Sequence, residues 1–428
     1  MSGEDQVEKI GSALWDRPDP GFLWKRFLAG ASTDGQGVRR WIFWIWWSRP
    51  RTLPERFIAI RRVAFSPLIA VVEAGRAVRR YGEKVVVVHG VSRAKQFAHL
   101  MSLQYRTGMA PIAYYMYQLF RADRRPSSGQ YLMETGKVLQ VLSRRMPPSP
   151  DLAIFVNKAS FEMWCRQHGF QTVSNLMECR DGRVTYRADT ILPPQDLFSK
   201  PSNAQGGEGV LRWTCKRVEG ALTWESSAGG AYSAESLEKY LSSLSLGSDR
   251  PFVLQPRLRN HQHIERLANG SLSTVRLMTL RPAGGRAQPL LAVLRLPTGG
   301  SVADNFDLGG LGAAIDLASG RLGPAVFKRG QYPLEQLDYH PDTRMQIAGE
   351  TLPFWQECVD LGVRAHDEIL TPMPVIGWDI AILEDGPVLI EANHMPGPEL
   401  AQMTTGAPLG ATSYAKCVIE CMRRFFSL

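Results

Sequence analysis

The stretch from Val375 to Gly397 constrains the fold more than any other part of the sequence. It reads VIGWDIAILEDGPVLIEANHMPG. Its apolar residues alternate with the period of a half-buried β-strand, at Ile380, Ile382, Val388 and Ile390. Between them, Glu384-Asp385-Gly386 predicts a three-residue turn, with glycine where a left-handed backbone is needed. The stretch therefore predicts a β-hairpin.

The register of this hairpin brings three polar side chains together. With a three-residue turn, the predicted pairs are Leu383 with Pro387, Ile382 with Val388, and Asp379 with Glu391. Side chains two apart on a strand share a face, so Asn393 joins the two carboxylates. Two carboxylates and an amide oxygen suit Mg²⁺, especially Mg²⁺ shared with substrate phosphates. A solvated acidic end of an exposed hairpin explains the same pattern equally well.

Composition and cysteine usage set broad limits. The chain has 428 residues, 44% hydrophobic and 21% charged, which is ordinary for a globular protein of two or three domains. Six cysteines without a CxxC pair predict reduced, buried thiols of a cytosolic protein. The polar start MSGEDQVEKI does not resemble a secretory signal. The most apolar stretches, 41–47 and 57–72, are too short or carry arginines, so we expect no transmembrane helix and a cytoplasmic location.

Much of the formal net charge of +9 lies in the first part of the chain. Arginines are interleaved with tryptophans between Arg39 and Arg62, a pattern found on nucleic-acid-binding and on membrane-binding surfaces. We expect instead a helical cap with the tryptophans in its core and the arginines solvated. Peripheral contact of the stretch Arg39–Arg51 with a membrane is the second interpretation. No nucleic-acid motif accompanies the charge, and no pattern indicates an oligomeric state.

Residues 1–125 are predicted to be mainly helical. Ser92 is a suitable N-cap for one helix, and Pro111 begins another over Ala110–Phe120. The polar segment Arg121–Gln130 is a candidate boundary. After Pro150 the pattern changes to short strands alternating with helices, with Lys158 between a strand and a helix. We expect an α+β fold with lobes at 126–255 and 256–428 rather than a doubly wound sheet.

The elements expected in this second part follow from periodicity and caps. A short apolar run covers Leu152–Val156, and a helical face that ends at Gly169 is shared by Phe161, Trp164, Cys165 and His168. Ser233 caps a further helix, and a long helix follows Phe354. The expected strands are Thr185–Leu192, Gln195–Lys200, Pro251–Gln255, Thr274–Leu280 and Pro289–Leu296.

A glycine-rich loop follows a lysine in the stretch FSKPSNAQGGEGV, residues 198–210. Gly206, Gly207 and Gly209 would let backbone N–H groups approach an anion closely, and Lys200 adds a positive charge. The lysine precedes the glycines and no GKS or GKT follows, so the loop is not a P-loop. Alone, such a loop is also compatible with an ordinary hairpin turn.

The ordered set of motifs resembles the ATP-grasp superfamily, and more narrowly the sugar-transfer-associated ATP-grasp family. The motifs are Asn157-Lys158, FSKPSNAQGGEGV, FVLQPRL, STVRLMTL, ADNFDLGGLGAAID and GWDIAILEDGPVLIEAN. They cover roughly residues 90 to 400, and their common order is more specific than any one of them. The resemblance implies an α+β ATP-grasp fold, in which two lobes hold ATP, with a mainly helical N-terminal region.

The same resemblance implies a nucleotide site. Lys158 and Lys200 would contact the ATP phosphates, although Lys158 could instead cap its helix. Residues 202–209, with Gly206, Gly207 and Gly209, would form a mobile lid. Residues 252–258 would be the hinge at adenine. There, backbone groups near Gln255 would pair with the base and Leu258 would pack on it, although many relatives have an acidic residue at the position of Gln255.

It also implies a metal and an acceptor site. Asp379, Glu391 and Asn393 match ligands of Mg²⁺, expected as two ions for which Mn²⁺ could substitute. Arg276, Lys200 and Asn305 would act in catalysis, with Arg276 beside the transferred phosphoryl group. A structural ion pair is the competing explanation for Arg276, since a buried, unpaired arginine is costly. Gly309 and Gly310 would line the acceptor pocket with Asn305.

The activity implied is an ADP-forming ligase. It would join a small-molecule carboxylate to a nucleophile, an amine above all, through an acylphosphate. A kinase that phosphorylates a small-molecule hydroxyl on the same scaffold is the alternative. A binding protein with a degenerate site is a third interpretation, against which both lysines and all three metal ligands argue. We further expect His340 and His366 to be structural and His394 to contact substrate.

Overall fold

The computed structural model describes residues 23, 34–48, 52–133, 135–147, 149–202, 209–247, 251–268, 270–299, 306, 309–327 and 335–426. In these ranges the α-helices are α1 (Asp34–Ser48), α2 (Leu53–Ala64), α3 (Ser66–His89), α4 (Arg93–Thr107), α5 (Pro111–Met116), α6 (Thr135–Arg145), α7 (Lys158–Gln167), α8 (Ala234–Ser245), α9 (Gln262–Ala268), α10 (Trp355–Glu368), α11 (Glu399–Thr405) and α12 (Ser413–Phe425). Short 3₁₀ helices occupy Arg125–Gln130, Pro150–Phe155 and Leu409–Ala411.

The strands form two seven-stranded antiparallel sheets. The first has the order β2-β1-β7-β3-β4-β5-β6 and the second β12-β11-β10-β9-β8-β13-β14. The strands are β1 (Met177–Arg180), β2 (Arg183–Arg187), β3 (Leu197–Pro201), β4 (Leu211–Val218), β5 (Ala221–Ser226), β6 (Ala231–Tyr232), β7 (Phe252–Pro256), β8 (Thr274–Leu280), β9 (Gln288–Leu296), β10 (Leu311–Ile315), β11 (Leu322–Phe327), β12 (Gln336–Leu337), β13 (Val375–Leu383) and β14 (Gly386–Asn393). Antiparallel sheets flanked by helices confirm the α+β class. The boundaries predicted at 125 and 255 stay predictions.

Each sheet is covered by its own hydrophobic core. On the first sheet, the buried rings of Trp213 and Trp224 pack with Leu237 and Leu241 of α8. On the second sheet, the apolar face of α10 packs against β8 and β13. Burial of large apolar side chains is the main stabilising term in such layers, at about 1.5–3 kcal/mol for each fully buried side chain.

The N-terminal helices share the core of the second sheet. Helices α3 to α5 form a cluster that includes Val326 of β11 and Met403 of α11. Helix α1 packs against α12, and the rings of Trp41 and Phe426 lie 6.4 Å apart. The amide of Gln402 on α11, 1% exposed, donates to the carbonyl of Leu132 at 2.7 Å and accepts from its backbone N–H at 2.8 Å. These helices therefore pack on the second lobe through a continuous interior.

The Trp/Arg stretch is largely buried in α1. The guanidinium of Arg39 is 5% exposed and donates to the backbone carbonyls of Gly129, Tyr131 and Thr107 at 2.5, 2.6 and 3.1 Å. Trp46 is 4% exposed. Trp46 agrees with the expectation that the tryptophans here are core residues, but Trp41, Trp44 and Trp47 are only half-buried. Arg39 is not solvated as expected. Residues 49–51 lie outside the described ranges.

Several local predictions are confirmed and others need correction. Ser92 and Ser233 accept hydrogen bonds from the backbone N–H groups at the starts of α4 and α8, and the bounds of β8 agree with the prediction. The helix predicted over Ala110–Phe120 ends at Met116, where Tyr117 to Phe120 form turns. The run at Leu152–Val156 is a 3₁₀ helix, since Pro150 and the cap Ser149 begin a helical turn there.

Two predictions from composition can be compared with the described residues. Within these residues, no helix combines the length and the apolar character needed to cross a membrane. All six cysteines are unpaired thiols, and all but Cys215 are buried.

The predicted strand over Thr185–Leu192 is shorter than expected, since β2 ends at Arg187.

The predicted hairpin exists, but its register is reached differently. Leu383 pairs with Gly386 and Ile382 with Pro387, so a two-residue turn replaces the predicted three-residue turn. An irregularity between Asp379 and Ile380 then shifts the register by one residue. Opposite it, β14 carries one extra residue, as in a β-bulge. Asp379 therefore does pair with Glu391, although the pairs predicted nearer the turn are wrong.

The bulge also changes which apolar residues share a face. Ile380 faces Leu389, and both lie in the core together with Ile382. Val388 pairs with Ala381 on the opposite face, and Ile390 is only half-buried. Gly386 has a φ of +124°, which fits the glycine expected at the turn. At the far end of the hairpin, Asp379 and Glu391 therefore lie opposite each other, apart from the core pair Ile380 and Leu389.

Candidate active site

Lys158 is the first residue of helix α7. The side chain of Asn157 caps this helix and accepts hydrogen bonds from the N–H groups of Ala159 and Ser160 at 2.8 and 3.0 Å. Lys158 therefore does not cap the helix itself. The preceding segment is a 3₁₀ helix rather than the strand expected. A positive side chain at a helix N-terminus, where N–H groups point outward, favours an anionic ligand.

The connection after α7 fixes this helix relative to the hairpin. The backbone N–H of Leu389 donates to the carbonyl of Gln171 at 3.0 Å. The Thr172 hydroxyl donates to the carbonyl of Leu389 at 2.8 Å. Because Leu389 lies two residues before Glu391 on β14, these bonds hold Lys158 near that carboxylate.

Lys200 lies near the end of β3, opposite Val253 of β7. The neighbouring Ser199 is buried and accepts a hydrogen bond from the indole of Trp213 at 2.9 Å, which fixes the strand. Burial and the positive charge of Lys158 lower the pKa of Lys200 to about 8, although Glu391 opposes this shift. Burial likewise lowers the pKa of Lys158, against the charge of Glu391. The two lysines and Glu391 thus lie close enough to influence one another.

The acidic residue Asp379 is held by two arginines. Asp379 pairs directly with Arg276 across β13 and β8, and Arg276 Nε and Nη2 donate to its two oxygens, the second bond being 3.2 Å long. Arg295 of β9 donates from Nη2 to Asp379 Oδ2 at 2.8 Å. Burial alone would raise the pKa of Asp379, but the charges of the two arginines outweigh it and lower the pKa to about 2. Asp379 is therefore ionised at any ordinary pH.

Glu391 has the opposite character. Burial and the negative charge of Asp379 raise its pKa, while Lys158 acts against this increase. Glu391 and Asp379 are also hydrogen-bonded to each other. The Nδ2 group of Asn393 donates to Glu391 Oε1 at 3.2 Å. Two adjacent carboxylates, one of which tends to retain a proton, are an environment that a cation would stabilise.

The three predicted metal ligands fit Mg²⁺ by their chemistry. A carboxylate has about four acceptor positions, and the arginines take three of those on Asp379. The fourth lies in the hydrogen bond that Asp379 and Glu391 share, so an ion bound there would take the place of that proton. Mg²⁺ is usually bound by one or two carboxylates together with substrate phosphates and water. Among the described residues there is no cluster of three or more acidic, histidine or cysteine side chains.

Arg295 is a site residue that the sequence prediction missed. It also donates from Nε and Nη2 to Thr274 Oγ1, at 3.1 and 2.6 Å. Its carbon stem packs within β9, whose other residues are mostly apolar. Arg276 was identified from the family resemblance, and its position in an apolar strand indicated a charged partner. The same signal, an arginine in an apolar strand, could have identified Arg295.

The predicted hinge lies on β7, in the middle of the first sheet. The side chain of Gln255, 7% exposed, donates from Nε2 to Asn175 Oδ1 at 2.8 Å. The backbone N–H of Asn175 in turn donates to Glu162 on α7 at 3.0 Å. Gln255 therefore connects the predicted adenine site to the helix that carries Lys158. Leu258 is half-buried, and no described contact joins it to the charged cluster.

Other predicted residues lie apart from this cluster or outside the described residues. Gly206, Gly207 and Asn305 are outside, as are 203–208 and 300–305 in general. Gly209 has a φ of +71°, and an added Cβ would meet Pro201 at 3.0 Å. The carbonyl of Gly309 accepts from the hydroxyl of Thr298 at 2.6 Å, and Gly310 is buried. No described contact connects Gly209, Gly309 or Gly310 to the lysines or the hairpin acids.

The three histidines with predicted roles differ in their contacts. His366 is fully buried, with Nε2 3.0 Å from the carbonyl of Met373 and Nδ1 2.7 Å from the Thr279 hydroxyl. His340 is also buried and lies 2.8 Å from the carbonyl of Pro297. These contacts agree with structural roles. His394 follows Asn393 and packs on the ring of Phe155 at 5.1 Å, and burial lowers its pKa to about 4. Its contact with substrate stays a prediction.

The two antiparallel sheets, with Lys200 on one and Asp379 and Glu391 on the other, agree with the ATP-grasp fold that the motifs predict. The sequence matches the sugar-transfer associated ATP-grasp family over residues 140–415, nearly two thirds of the chain. The chain therefore belongs to this family, as the motifs predicted. A comparison with curated proteins finds no match.

Solved structures with similar folds include several ligases. An ADP complex of N5-carboxyaminoimidazole ribonucleotide synthetase is 10% identical with a TM-score of 0.35, covering 60% of this chain and 50% of its own. An L-amino acid ligase from Bacillus licheniformis is 11% identical, with a TM-score of 0.35 and coverage of 66% and 53%. A D-alanine–D-alanine ligase from Helicobacter pylori is 13% identical, with a TM-score of 0.35 and coverage of 66% of each chain. The present chain thus spans only about half of the first two, and TM-scores this low carry no conclusion about activity.

Proposed function

We propose that this protein is an ATP-dependent ligase that joins a carboxylate to a nucleophile, an amine above all, and releases ADP and phosphate. The observation that carries the proposal is the convergence of Lys158, Lys200 and Arg276 on the acids Asp379 and Glu391. The charge of Glu391 opposes the lowering of the pKa of both Lys158 and Lys200, and the charge of Lys158 opposes the rise in the pKa of Glu391. Membership of the ATP-grasp family supports ATP as the ligand of this cluster.

The chemistry explains why such a cluster is useful. A carboxylate is a poor acyl donor because oxide is a poor leaving group. Attack of a carboxylate oxygen on the γ-phosphorus breaks the bond to the bridging oxygen, releases ADP and forms an acylphosphate. The amine then attacks the acyl carbon, phosphate leaves with one carboxylate oxygen, and the amine loses a proton. The acylphosphate would be hydrolysed if water entered, so the site has to be closed during the reaction.

The side chains have separate tasks in this scheme. Lys158 and Lys200 would neutralise the phosphates of ATP while the phosphoryl group is transferred. Arg276 uses Nε and Nη2 to hold Asp379. Its Nη1 edge would then face the transferred phosphoryl oxygens. Arg295 would act through Asp379 by keeping that carboxylate ionised and oriented.

Asp379, Glu391 and Asn393 would hold the divalent ions. Mg²⁺ bound there supplies positive charge that draws the phosphate oxygens into position and stabilises the charge that develops on them. Asn305, Gly309 and Gly310 are proposed to line the acceptor pocket, on the basis of the motif alone. The identity of the acid and of the amine would follow from a screen of candidate pairs with ATP, scored by ADP release.

The test is the fate of an oxygen label. With an ¹⁸O-labelled carboxylate substrate, the ligase delivers one label to inorganic phosphate, because that oxygen leaves with the phosphoryl group. Mass spectrometry of the released phosphate measures it, with the Glu391→Gln variant as the inactive control. Unlabelled free phosphate would contradict the acylphosphate route. Phosphate retained on the product would instead identify a kinase that acts on a hydroxyl.

A further inference from the structure

Helix α2 carries its large apolar side chains outward and its small ones inward. The buried residue on this helix is Ala59, which is 4% exposed. Leu53, Phe57 and Ile60 are 80%, 67% and 56% exposed. A surface helix of a globular protein normally shows the reverse arrangement, with its large apolar residues toward the core. Core packing therefore does not explain the sequence of α2.

The outward residues of α2 and the exposed apolar residues that follow on α3 together make up what we call the apolar ridge. On α2, Leu53, Phe57 and Ile60 recur at the spacing of one helical face. The ridge continues onto α3 across Phe65, the single residue between the two helices, which is 55% exposed. Its members share exposures of 42% or more and are Leu53, Phe57, Ile60, Phe65, Leu68, Val71 and Val72. Isolated exposed apolar residues are common, but a contiguous patch marks an interaction site.

Positive charges border the ridge. At 100° per residue, Arg56 and Arg61 lie on either side of the stripe formed by Leu53, Phe57 and Ile60. In the described part of the chain, neither arginine takes part in an ion pair, and both are exposed. Arg62 follows Arg61, and three further arginines follow on α3. The edges of the ridge are therefore cationic.

The acidic residues of this segment are already engaged. Glu55 accepts a hydrogen bond from the backbone N–H of Thr52 at 2.7 Å, as part of the cap of α2. Glu73 pairs with Arg76 at 2.7 Å. Within the described residues, neither carboxylate forms an ion pair with Arg56 or Arg61. Two ridges from two copies of the chain would bring their arginines together, which disfavours self-association through this surface.

We propose that the apolar ridge docks on the surface of an anionic lipid bilayer. Phe57, Ile60, Phe65 and their neighbours would enter the boundary between headgroups and acyl chains, where amphipathic helices bury their apolar face. Arg56 and Arg61 would lie at the level of the anionic headgroups, each contributing attraction to negatively charged lipid. This surface lies just beyond the stretch Arg39–Arg51 that the sequence had indicated. The proposal does not depend on the proposed enzymatic activity.

The experiment is flotation of the full-length protein with lipid vesicles. Vesicles of phosphatidylcholine containing phosphatidylserine are compared with vesicles of phosphatidylcholine alone, at low and at high salt. We expect binding to the anionic vesicles that weakens as salt screens the arginines. The variant Phe57→Ser/Ile60→Ser/Leu68→Ser is expected to bind about tenfold less tightly or weaker, because it removes the largest apolar contacts. Because these side chains are exposed, the melting temperature is expected to change little.

A matched control separates the ridge from exposed apolar residues in general. Val87 and Val88 are 74% and 59% exposed at the other end of α3. The variant Val87→Ser/Val88→Ser should bind like the unchanged protein. If the triple variant unfolds, Phe57→Ser alone takes its place. The variant Arg56→Gln/Arg61→Gln should lose most of the salt dependence.

Three outcomes would overturn the proposal. The first is failure of the full-length protein to bind anionic vesicles at low salt. The second is an equal loss of binding in the Val87/Val88 control. The third is a dimer, detected by light scattering, that the ridge variant converts to a monomer, because a second copy would then cover the ridge. If a soluble protein binds the intact ridge and the full-length protein does not bind vesicles, the proposal is likewise overturned.

Discussion

Asp379 is the residue at which the charges of the candidate site meet. It neutralises Arg276 and Arg295, whose side chains are 19% and 15% exposed, and it is only 4% exposed itself. It is also a proposed metal ligand. Glu391, directly opposite, has a raised pKa, because burial and the charge of Asp379 outweigh the opposing charges of Lys158 and Arg276. The two acids of the predicted pair therefore differ in what they do for the folded protein.

Substitution of these two acids should separate activity from stability. Asp379→Asn and Glu391→Gln are both expected to abolish turnover, because each removes a ligand charge. Only Asp379→Asn should lower the free energy of unfolding, by about 1–3 kcal/mol, because it leaves two partly buried arginines without their carboxylate. Urea unfolding followed by circular dichroism measures the difference. Equal stabilities of the two variants would contradict this assignment.

Lys200 should make nucleotide binding depend on pH. Its pKa of about 8 without ligand means that it loses its proton as pH rises through that value. Phosphates beside it favour the charged form, so ATP binding should take up protons near pH 8 and weaken above it. Calorimetry at pH 8 in two buffers with different ionisation enthalpies measures this uptake. The Lys200→Met variant should show none, and the same uptake in that variant would exclude Lys200 as its source.

At the scale of elements, the sequence predicted the hairpin, the cap residues Ser92 and Ser233, and strand β8. It also predicted the pairing of Asp379 with Glu391, but from a three-residue turn where the protein has a two-residue turn and a bulge. Eleven residues separate the two acids, and that separation permits either arrangement. The alternation of apolar residues does not show how many of these eleven residues belong to the turn and whether one forms a bulge. The bulge depends on how the sheet packs. Arg295 carries the same strand signal as Arg276, but none of the recognised motifs contains it, and its partner Asp379 lies 84 residues away in sequence.

The close packing of helix α10 behind the hairpin can be tested by substituting a glycine on that helix. A Cβ added at Gly362 would lie 2.5 Å from Leu277 Cδ2 and 3.4 Å from the ring of Trp378, both in the core. Gly362→Ala should therefore lower the free energy of unfolding by about 1–3 kcal/mol. Gly75→Ala is the matched control, because Gly75 is also helical and nothing lies within 4 Å of its added Cβ. It should raise stability by about 0.5–1 kcal/mol. Equal effects at both positions would contradict the close packing of α10.

At the scale of the whole molecule, the N-terminal helices belong to the second lobe. Sequence patterns predicted that they are helical, but could not predict where they pack, because their partners lie at the other end of the chain. Gln402 illustrates this, since its amide connects Tyr117 and Leu132 to the C-terminal helices. A glutamine in a helical pattern gives no indication of a buried hydrogen-bonding role.

Gln402→Ala should destabilise the N-terminal helices and the second lobe together. It leaves the buried N–H groups of Leu132 and Leu409 without their acceptor, and each such group costs about 1–3 kcal/mol. We expect a lower melting temperature with a single transition for these elements. Gln346→Ala, at an exposed glutamine, is the control and should change little. A separate early transition of the N-terminal helices would contradict their shared core.

The packing of α1 on α12 has a consequence for biosynthesis. Val38 and Ile45 of α1 belong to the same core as Tyr414 and Val418 of α12, so the final contacts of α1 wait until the ribosome has made the end of the chain. At about 5–20 residues per second, the interval between Ser48 and Ser413 is roughly 20–70 s. During that time the side of this tryptophan-rich helix that faces α12 lacks its native partner. Nascent chains of this protein should therefore depend on chaperones more than its final stability would suggest.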